Sequence, residues 1–195
     1  MINAEQLYSK ILNPKIRCLS REQIWHLFLK DHKEKSIFLE FGVWNGRSIN
    51  YMASVRPECI FHGFDSFEGL PENWITGLEK GHFKTEFMKL KFRENIIIHK
   101  GWFDDTTEEI KNDDEKISGI HFDCDLGSST TTILNKLKKR IINSKPMLLF
   151  DEMYNYKEFE NHEFKSFLDW VNENNLNFEI EATNLAHQQV LVRLT

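Results

Sequence analysis

The chain has 195 residues, a formal net charge of −5 and 41% hydrophobic residues. This length suffices for one domain that buries about 70% of the surface exposed by its unfolded chain. The mild acidity argues against nucleic acid as the main partner, because phosphate binding needs a basic face. One basic run, at residues 136–140, lies near the end of a predicted helix, where cations favour the helix dipole.

The cysteines and the apolar runs bear on the cellular compartment. Cys18, Cys59 and Cys124 show neither C-x-x-C pairing nor metal-ligand spacing, which favours buried thiols in a reducing compartment. The N-terminus lacks the basic start and apolar stretch of a signal peptide, and no apolar run approaches the length of a membrane span. We therefore expect a cytoplasmic protein without a membrane partner.

The predicted elements alternate between helical patterns and short apolar runs. Ser20 and Gln23 resemble a helix capping box, and Ile24, Leu27 and Phe28 then share one helical face. Strands are next predicted at residues 36–41, 59–64 and 95–99, with a helix at residues 47–54. This alternation is typical of a parallel sheet whose strands are joined by crossover helices.

The second half of the sequence continues the alternation. It predicts strands at residues 117–122 and 146–150, a helix capped by Ser128 or Ser129, an amphipathic helix carrying Phe164, Phe167, Leu168 and Val171, and strands at residues 178–182 and 189–194. The last two strands are too close for a crossover helix, so one of them should run antiparallel. The prediction is an α/β, Rossmann-like fold with a seven-stranded, mostly parallel sheet, an antiparallel C-terminal strand and helices on both faces.

We expect a single domain over residues 1–195. Residues 1–35 would form N-terminal helices, and residues 71–93 would form an insertion or cover segment. The aromatic residues of this segment fit a substrate pocket or a cover, and their helical spacing fits core packing equally well: Trp74, Phe83, Phe87 and Phe92.

The turn after the first predicted apolar strand has the glycines of a ligand-binding loop. Its pattern is E-x-G-x-x-x-G, formed by Glu40, Gly42 and Gly46. The missing third glycine and the early acid weigh against a dinucleotide pyrophosphate. Asp65 ends the next strand, where an acid can accept hydrogen bonds from ribose hydroxyls. Nicotinamide dinucleotides and S-adenosylmethionine both contain this ribose, so Asp65 does not separate them.

A family resemblance appears at residues 64–72, with the sequence F-D-S-F-E-G-L-P-E. Further matching pieces follow in order at residues 40–48, 101–106, 122–130, 150–152 and 162–165. Together these pieces resemble the macrocin O-methyltransferase family of class I S-adenosylmethionine-dependent methyltransferases. The ordered matches extend from residue 38 to residue 193, which makes them far more specific than any one motif.

The resemblance implies a binding site for S-adenosylmethionine. Asp65 would hold the ribose, and the turn at residues 40–48 would hold the methionine and sugar side. Phe67, Trp102 and Phe103 would flank the adenine. Trp44 and Trp102 are candidates to attract the positive sulfonium. The predicted cofactor-binding residues are Glu40, Phe41, Gly42, Gly46, Ser48, Asp65, Ser66, Phe67, Gly101, Trp102, Phe103 and Asp123.

The reaction implied by the resemblance is methyl transfer to a hydroxyl of a sugar or similar small molecule. Asp123, Asp151 and Glu152 end two neighbouring strands, and carboxylates are ligands that Mg²⁺ prefers. We therefore predict a magnesium site at these three acids that acidifies the acceptor hydroxyl. Asp123 would also be the catalytic general base, with Asp125 a less favoured candidate.

Several alternatives stay open at this point. Gly127 stands where the family usually has a large residue, and Glu152 stands where it often has Asp. A metal-independent methyltransferase, an NAD(P)-dependent oxidoreductase and a non-catalytic S-adenosylmethionine-binding protein remain as other functions. His162 is expected at the surface, the role of His187 in the final hairpin loop is open, and a homodimer is a further expectation.

Overall fold

The structure, a computed structural model, describes residues 1–30, 35–110 and 116–195. Residues 31–34 of the predicted N-terminal helical region therefore lie outside the described residues. The strands are β1 (Ile16–Cys18), β2 (Ile37–Phe41), β3 (Ile60–Asp65), β4 (Ile96–Lys100), β5 (Ile117–Phe122), β6 (Met147–Phe150), β7 (Phe178–Asn184) and β8 (Val190–Leu194). The α-helices are α1 (Ala4–Leu12), α2 (Arg21–Phe28), α3 (Arg47–Val55), α4 (Phe103–Thr106), α5 (Gly127–Lys136), α6 (Lys138–Ser144) and α7 (Glu163–Glu173).

The eight strands form one sheet in the order β1-β7-β8-β6-β5-β2-β3-β4. Neighbouring strands pair in parallel except at β8, which runs antiparallel to both β6 and β7. The predicted α/β class, with a mostly parallel sheet and an antiparallel C-terminal strand, is therefore confirmed. The order of the strands reverses between β2 and β5, and ligand sites of such sheets lie at this point.

The predicted count of seven strands is wrong, because β1 is an eighth strand at the edge of the sheet. Its three residues pair in parallel with β7, from Ile16 opposite Ala182 to Cys18 opposite Asn184. Only Cys18 of the three is buried. A strand this short, with one buried side chain, has no apolar alternation that a sequence pattern could reveal.

Helices cover both faces of the sheet, as predicted. Every side chain of β2 is buried, because alternate residues enter two different cores. Leu39 and Phe41 belong to the core that includes α1, α5 and α7, whereas Phe38 belongs to the core under α2 and α3. A strand buried on both faces reads as a continuous apolar run, which explains why β2 was visible in the sequence.

Of the two helix caps predicted from the sequence, one is confirmed and one is wrong. The Ser20 side chain accepts a hydrogen bond from the Gln23 amide, so the predicted start of α2 is confirmed. The predicted cap of α5 at Ser128 or Ser129 is wrong, because the helix begins at Gly127 and its N-cap residue is Leu126. Ser128 instead donates a hydrogen bond from Oγ to Glu72 Oε1 at 2.5 Å, which ties α5 to the 71–93 segment.

The segment at residues 71–93 consists mainly of turns, with one 3₁₀ turn at Phe87–Lys89. Phe87 and Phe92 pack against the core under α2 and α3, while Pro71 and Phe83 line the large cavity described below. The segment thus contributes both to core packing and to the lining of the cavity.

The described residues also test the predictions about membrane-spanning segments and about the cysteines. None of their helices has the length and apolar character that crossing a lipid bilayer requires. Cys18, Cys59 and Cys124 are free and buried, as predicted.

Candidate functional site

A cavity of about 470 Å³ lies at the carboxyl ends of β2, β3 and β5, where the strand order reverses. Its volume falls within the range of small-molecule sites. The residues that line it are Arg21, Trp25, Gly42, Val43, Trp44, Asn45, Arg47, Ser48, Asp65, Ser66, Gly69, Leu70, Pro71, Phe83, Trp102, Phe103, Asp123, Cys124, Asp125, Ser129 and Glu152.

The turn after β2 packs directly against the turn after β5. Gly42 has a φ of +93°, and a Cβ atom at this position would lie 1.7 Å from the Asp123 carbonyl oxygen. No side chain fits in this space, so only glycine permits the two turns to meet. The close approach places the backbone of Gly42 and the carboxylate of Asp123 on the wall of one cavity.

Asp65, at the end of β3, holds the turn after β2 in place. Its Oδ2 accepts hydrogen bonds from the amides of Val43 at 2.8 Å and Trp44 at 2.7 Å. Its Oδ1 accepts one from the Phe67 amide at 2.6 Å. A carboxylate has about four acceptor positions, so one stays available to a ligand hydroxyl. Asp65 also lines the cavity, as the predicted contact with ribose requires.

The predicted cofactor residues fall into two groups. Those that line the cavity are Gly42, Ser48, Asp65, Ser66, Trp102, Phe103 and Asp123. Those that lie behind its wall are Glu40, Phe41, Gly46, Phe67 and Gly101. The second group supports the turns rather than facing the space: Gly101, for instance, donates its amide hydrogen to the Asp65 carbonyl oxygen at 3.0 Å.

Exposed aromatic rings stand at the cavity. Trp44 is 47% exposed and Trp102 is 43% exposed, although both are large apolar side chains. Trp44 also meets the ring of Phe83 edge-on, with centroids 5.4 Å apart. Phe67, predicted beside the adenine, instead packs against Phe87 with centroids 4.8 Å apart. Exposed rings on a concave surface favour a ligand with a flat or cationic part.

A chain of buried polar side chains runs below the cavity floor. Ser48 Oγ donates to Glu40 Oε1 at 2.9 Å, and His121 bridges Glu40 Oε2 at 3.0 Å and Asp151 Oδ1 at 3.3 Å. Burial alone would lower the pKa of His121, but its hydrogen bonds to Asp151 and Glu40 raise that pKa well above its usual value. The raised pKa, with a carboxyl group at each ring nitrogen, favours the imidazolium form, in which both ring N–H groups donate.

Arg21 supplies a second cation to the same chain. Its Nη2 lies 2.9 Å from Asp151 Oδ2, which also accepts a hydrogen bond from Gln189 Nε2 at 3.1 Å. Burial raises the pKa of Asp151, but the hydrogen bond and charge of His121 and the charge of Arg21 bring it below its usual value. The lowered pKa favours an ionised Asp151, which is hydrogen-bonded by His121 and Gln189 and ion-paired with Arg21. The half-exposed Arg21 also lines the cavity.

Three further acids lie at the same end of the cavity. Burial, followed by the nearby charge of Asp151, raises the pKa of Asp123 well above its usual value. The same two causes raise the pKa of Asp125 to about 7. The buried Glu152 has one oxygen, Oε2, without a hydrogen-bond partner among the described residues. Burial and mutual repulsion thus favour the protonated forms of the acids at this end of the cavity.

The predicted magnesium site does not fit this arrangement. Among the described residues, one group of three acids or histidines has ligand atoms within 4.8 Å of one another. It consists of His121, Asp123 and Asp151, and it does not include Glu152. Both nitrogens of His121 are engaged with carboxylates, and the Asp151 carboxylate already has two hydrogen bonds and an ion pair with Arg21. Among the residues described, only the Asp123 carboxylate of this group is without a side-chain partner.

Sequence reasoning did not find Arg21, His121 or Gln189. Arg21 begins a helix far from any strand end, so no pattern connects it with Asp151. His121 carried a usable signal, because it is a polar residue between Ile120 and Phe122 in a fully apolar strand run. A buried polar side chain in such a run needs a partner.

His162 and His187, the two histidines considered in the sequence analysis, do not line the cavity. His162, predicted at the surface, is half-buried at the start of α7, with its ring centroid 6.2 Å from that of Trp74. His187 is exposed in the loop between β7 and β8 and does not line the cavity.

Comparison with known proteins places this geometry among methyltransferases by fold. No protein-family model matches the sequence, and no curated protein matches it either. CalS11, a TDP-rhamnose 3′-O-methyltransferase of calicheamicin biosynthesis, is 18% identical, with a TM-score of 0.58 over 98% of this chain and 87% of CalS11. A methyltransferase candidate from Streptococcus mutans, solved in complex with SAH (S-adenosylhomocysteine), is 16% identical, with a TM-score of 0.52 over 89% of this chain and 97% of its own.

An rRNA methylase from Streptococcus thermophilus is also similar. It is 12% identical, with a TM-score of 0.50 over 88% of this chain and 93% of its own. At these identities the likeness establishes the architecture alone. The chain therefore has the Rossmann-like fold that these methyltransferases share.

Proposed function

We propose that this chain is an S-adenosylmethionine-dependent O-methyltransferase that acts on a hydroxyl of a sugar or similar small molecule. The observation that carries the proposal is one cavity that joins an Asp65-held glycine turn to a group of buried carboxyl groups. The fold adds support, because similar structures include a TDP-rhamnose 3′-O-methyltransferase and a protein in complex with SAH. The ordered motifs that resemble the macrocin O-methyltransferase family point the same way.

We place the methyl donor at the end of the cavity near Asp65. The remaining acceptor position of Asp65 suits a ribose hydroxyl, and Phe103 and Trp102 offer apolar surface for the adenine. Trp44, at the same wall, offers a ring face to the sulfonium. The donor's methyl group would then point toward the carboxyl groups after β5.

At the end of the cavity with the carboxyl groups, the acceptor hydroxyl would lose its proton during an in-line displacement. The acceptor oxygen forms a bond to the methyl carbon, the carbon–sulfur bond breaks, and its electron pair stays on the neutral thioether sulfur. The hydroxyl proton passes to a carboxylate of the protein. Alignment of the two reactants supplies about 7–11 kcal/mol of the reduction in barrier.

Asp123 is the proposed general base. It lines the cavity directly below Gly42, and no side chain in the described ranges hydrogen-bonds its carboxylate. Asp125 is the second candidate, because burial and the charge of Asp151 raise its pKa to about 7, where a base is most effective at neutral pH. No step of the proposed mechanism uses magnesium, because the candidate metal ligands among the described residues do not fit this ion.

A pH profile of methyl transfer separates the two bases. Radiolabelled S-adenosylmethionine is offered with a panel of sugars and phenols, and the rate on the best acceptor is followed from pH 5 to pH 9. A base must be ionised, so the wild-type rate should rise with pH and level off. Asp123→Asn should lower the plateau about 100-fold or more. If Asp125→Asn does so instead and removes the rise near pH 7, Asp125 is the base.

The competing functions predict other results. An oxidoreductase would oxidise or reduce a substrate with a nicotinamide cofactor and transfer no label. A non-catalytic binding protein would bind the donor but label no acceptor. We favour a small-molecule acceptor over nucleic acid, although one similar fold is an rRNA methylase, because this chain has a net charge of −5 and acids at its cavity.

A further inference from the structure

We propose that the guanidinium of Arg21 occupies the position of a divalent cation in this site and binds the oxygen of the methyl acceptor. This inference rests on the proposed function, because it concerns the acceptor end of the same cavity. It assigns the neutralisation of Asp151, and the orientation of the acceptor, to a side chain of α2. Methyl transfer would then proceed without a metal ion.

The contacts of Asp151 provide the first argument. Its Oδ2 meets Arg21 Nη2 at 2.9 Å and Gln189 Nε2 at 3.1 Å, and its Oδ1 meets His121 Nε2 at 3.3 Å. Asp151 is fully buried, so an ion that bound it would have to displace one of these donors. Arg21 is the only one of the three that is half-exposed and lines the cavity, and it is therefore the donor that an ion would replace.

The position of His121 provides the second argument. It is fully buried and its two nitrogens lie between Glu40 and Asp151. It cannot turn a nitrogen toward a metal without losing its contact with one of these two buried carboxylates, which is costly in the interior. Of the group within 4.8 Å, Asp123 alone offers an unengaged ligand atom among the described residues.

The shape of the guanidinium provides the third argument. Arginine carries five N–H donors in a fixed plane, and one nitrogen suffices for the contact with Asp151. The side chain is 44% exposed and borders the same cavity as Asp123 and Glu152. Its remaining N–H groups can therefore donate to an acceptor oxygen and stabilise negative charge on that oxygen as its proton leaves.

Binding of Mn²⁺ tests the proposal without an identified acceptor. Mn²⁺ substitutes for Mg²⁺ at oxygen sites, and bound Mn²⁺ is counted by electron paramagnetic resonance in the presence of saturating SAH. Wild type should bind no Mn²⁺ at 1 mM metal, on the order of physiological Mg²⁺. Arg21→Ala should bind one ion with at least a tenfold gain in affinity, and Arg21→Ala/Asp151→Asn should lose that site again.

Arg17→Ala is the matched control, because Arg17 is an exposed arginine on β1 that does not line the cavity. It should behave as wild type. Calorimetric binding of SAH to every variant checks that each one is folded and keeps the donor site. Arg21→Lys retains the charge and should still exclude Mn²⁺.

The outcomes are distinct. One Mn²⁺ bound to the wild-type protein, or no gain in Arg21→Ala, overturns the role of Arg21. If SAH binds in those cases, the proposed methyltransferase function survives. If no variant binds SAH, the proposed function itself fails. Two kinetic results would support both the role of Arg21 and the proposed methyltransferase function. The rate of methyl transfer by wild type should be unchanged in excess EDTA, and Arg21→Ala should lower that rate about 100-fold.

Discussion

At the scale of single residues, Gly42 permits the close approach of the turns that follow β2 and β5. Alanine there would place its Cβ 1.7 Å from the Asp123 carbonyl oxygen, in a backbone with φ of +93°. Gly77 has a similar φ of +88° but has nothing within 4 Å of an added Cβ. The two positions therefore share the conformational strain and differ in the steric clash.

We predict that Gly77→Ala costs about 1 kcal/mol of the free energy of unfolding, the strain of a left-handed alanine. Gly42→Ala should cost at least about 2 kcal/mol more, because overpacking adds to the strain. Urea denaturation followed by circular dichroism measures both. Equal losses in the two variants would mean that the contact between the turns after β2 and β5 relaxes freely.

The residues that sequence reasoning found differ physically from those it missed. Asp65 was visible because it ends an apolar strand, and strand ends in a parallel sheet meet at one edge. Arg21 was not, because its partner Asp151 is reached only through the packing of α2 beside β6. Pairings of this kind depend on the three-dimensional path of the chain and leave no local pattern.

At the scale of elements, α1 carries a complete capping box. Asn3 Oδ1 accepts from the Gln6 amide at 2.8 Å, and Gln6 Oε1 accepts from the Asn3 amide at 2.9 Å. The helix buries Leu7 and Ile11 in the core on its face of the sheet. The cap thus stabilises an element that contributes to the core.

Asn3→Ala should lower the free energy of unfolding by about 1 kcal/mol, since it removes the acceptor of a helix cap. Gln6→Ala should lose less, because Asn3 keeps its own bond to the backbone. Their double variant should lose less than the sum of the two, as expected for groups that act together. Denaturation curves of the three variants test this, and strictly additive losses would show that the two bonds are independent.

The elements themselves were largely predictable from apolar runs. β2 and β5 are buried on both faces, and each was found within one residue of its observed bounds. β1 escaped because it is three residues long, and the cap of α5 was misplaced because Ser128 bonds to Glu72 instead of to its own helix. Contacts distant in sequence decided both cases.

At the scale of the whole molecule, the sheet brings two turns and a group of carboxyl groups to one cavity. The reversal of strand order between β2 and β5 leaves a crevice at their carboxyl ends. The turn after β2 forms one wall, and the carboxyl groups after β5 and β6 form another. The sequence motifs include residues of both walls, but the buried chain that runs from Ser48 to Arg21 beneath them became apparent only in three dimensions.

The central claim, that this cavity binds S-adenosylmethionine, is tested most directly by calorimetric titration with SAH. Wild type should bind one SAH per chain and should not bind NADH. Asp65→Asn should weaken SAH binding at least tenfold. The two carboxylate oxygens of Asp65 accept hydrogen bonds from three backbone amides, and asparagine replaces one of these oxygens with an NH₂ group that cannot accept. Asp105→Asn, at an exposed position outside the cavity, should bind as wild type does. Binding of NADH without SAH, or equal SAH affinity in Asp65→Asn and wild type, would contradict the account.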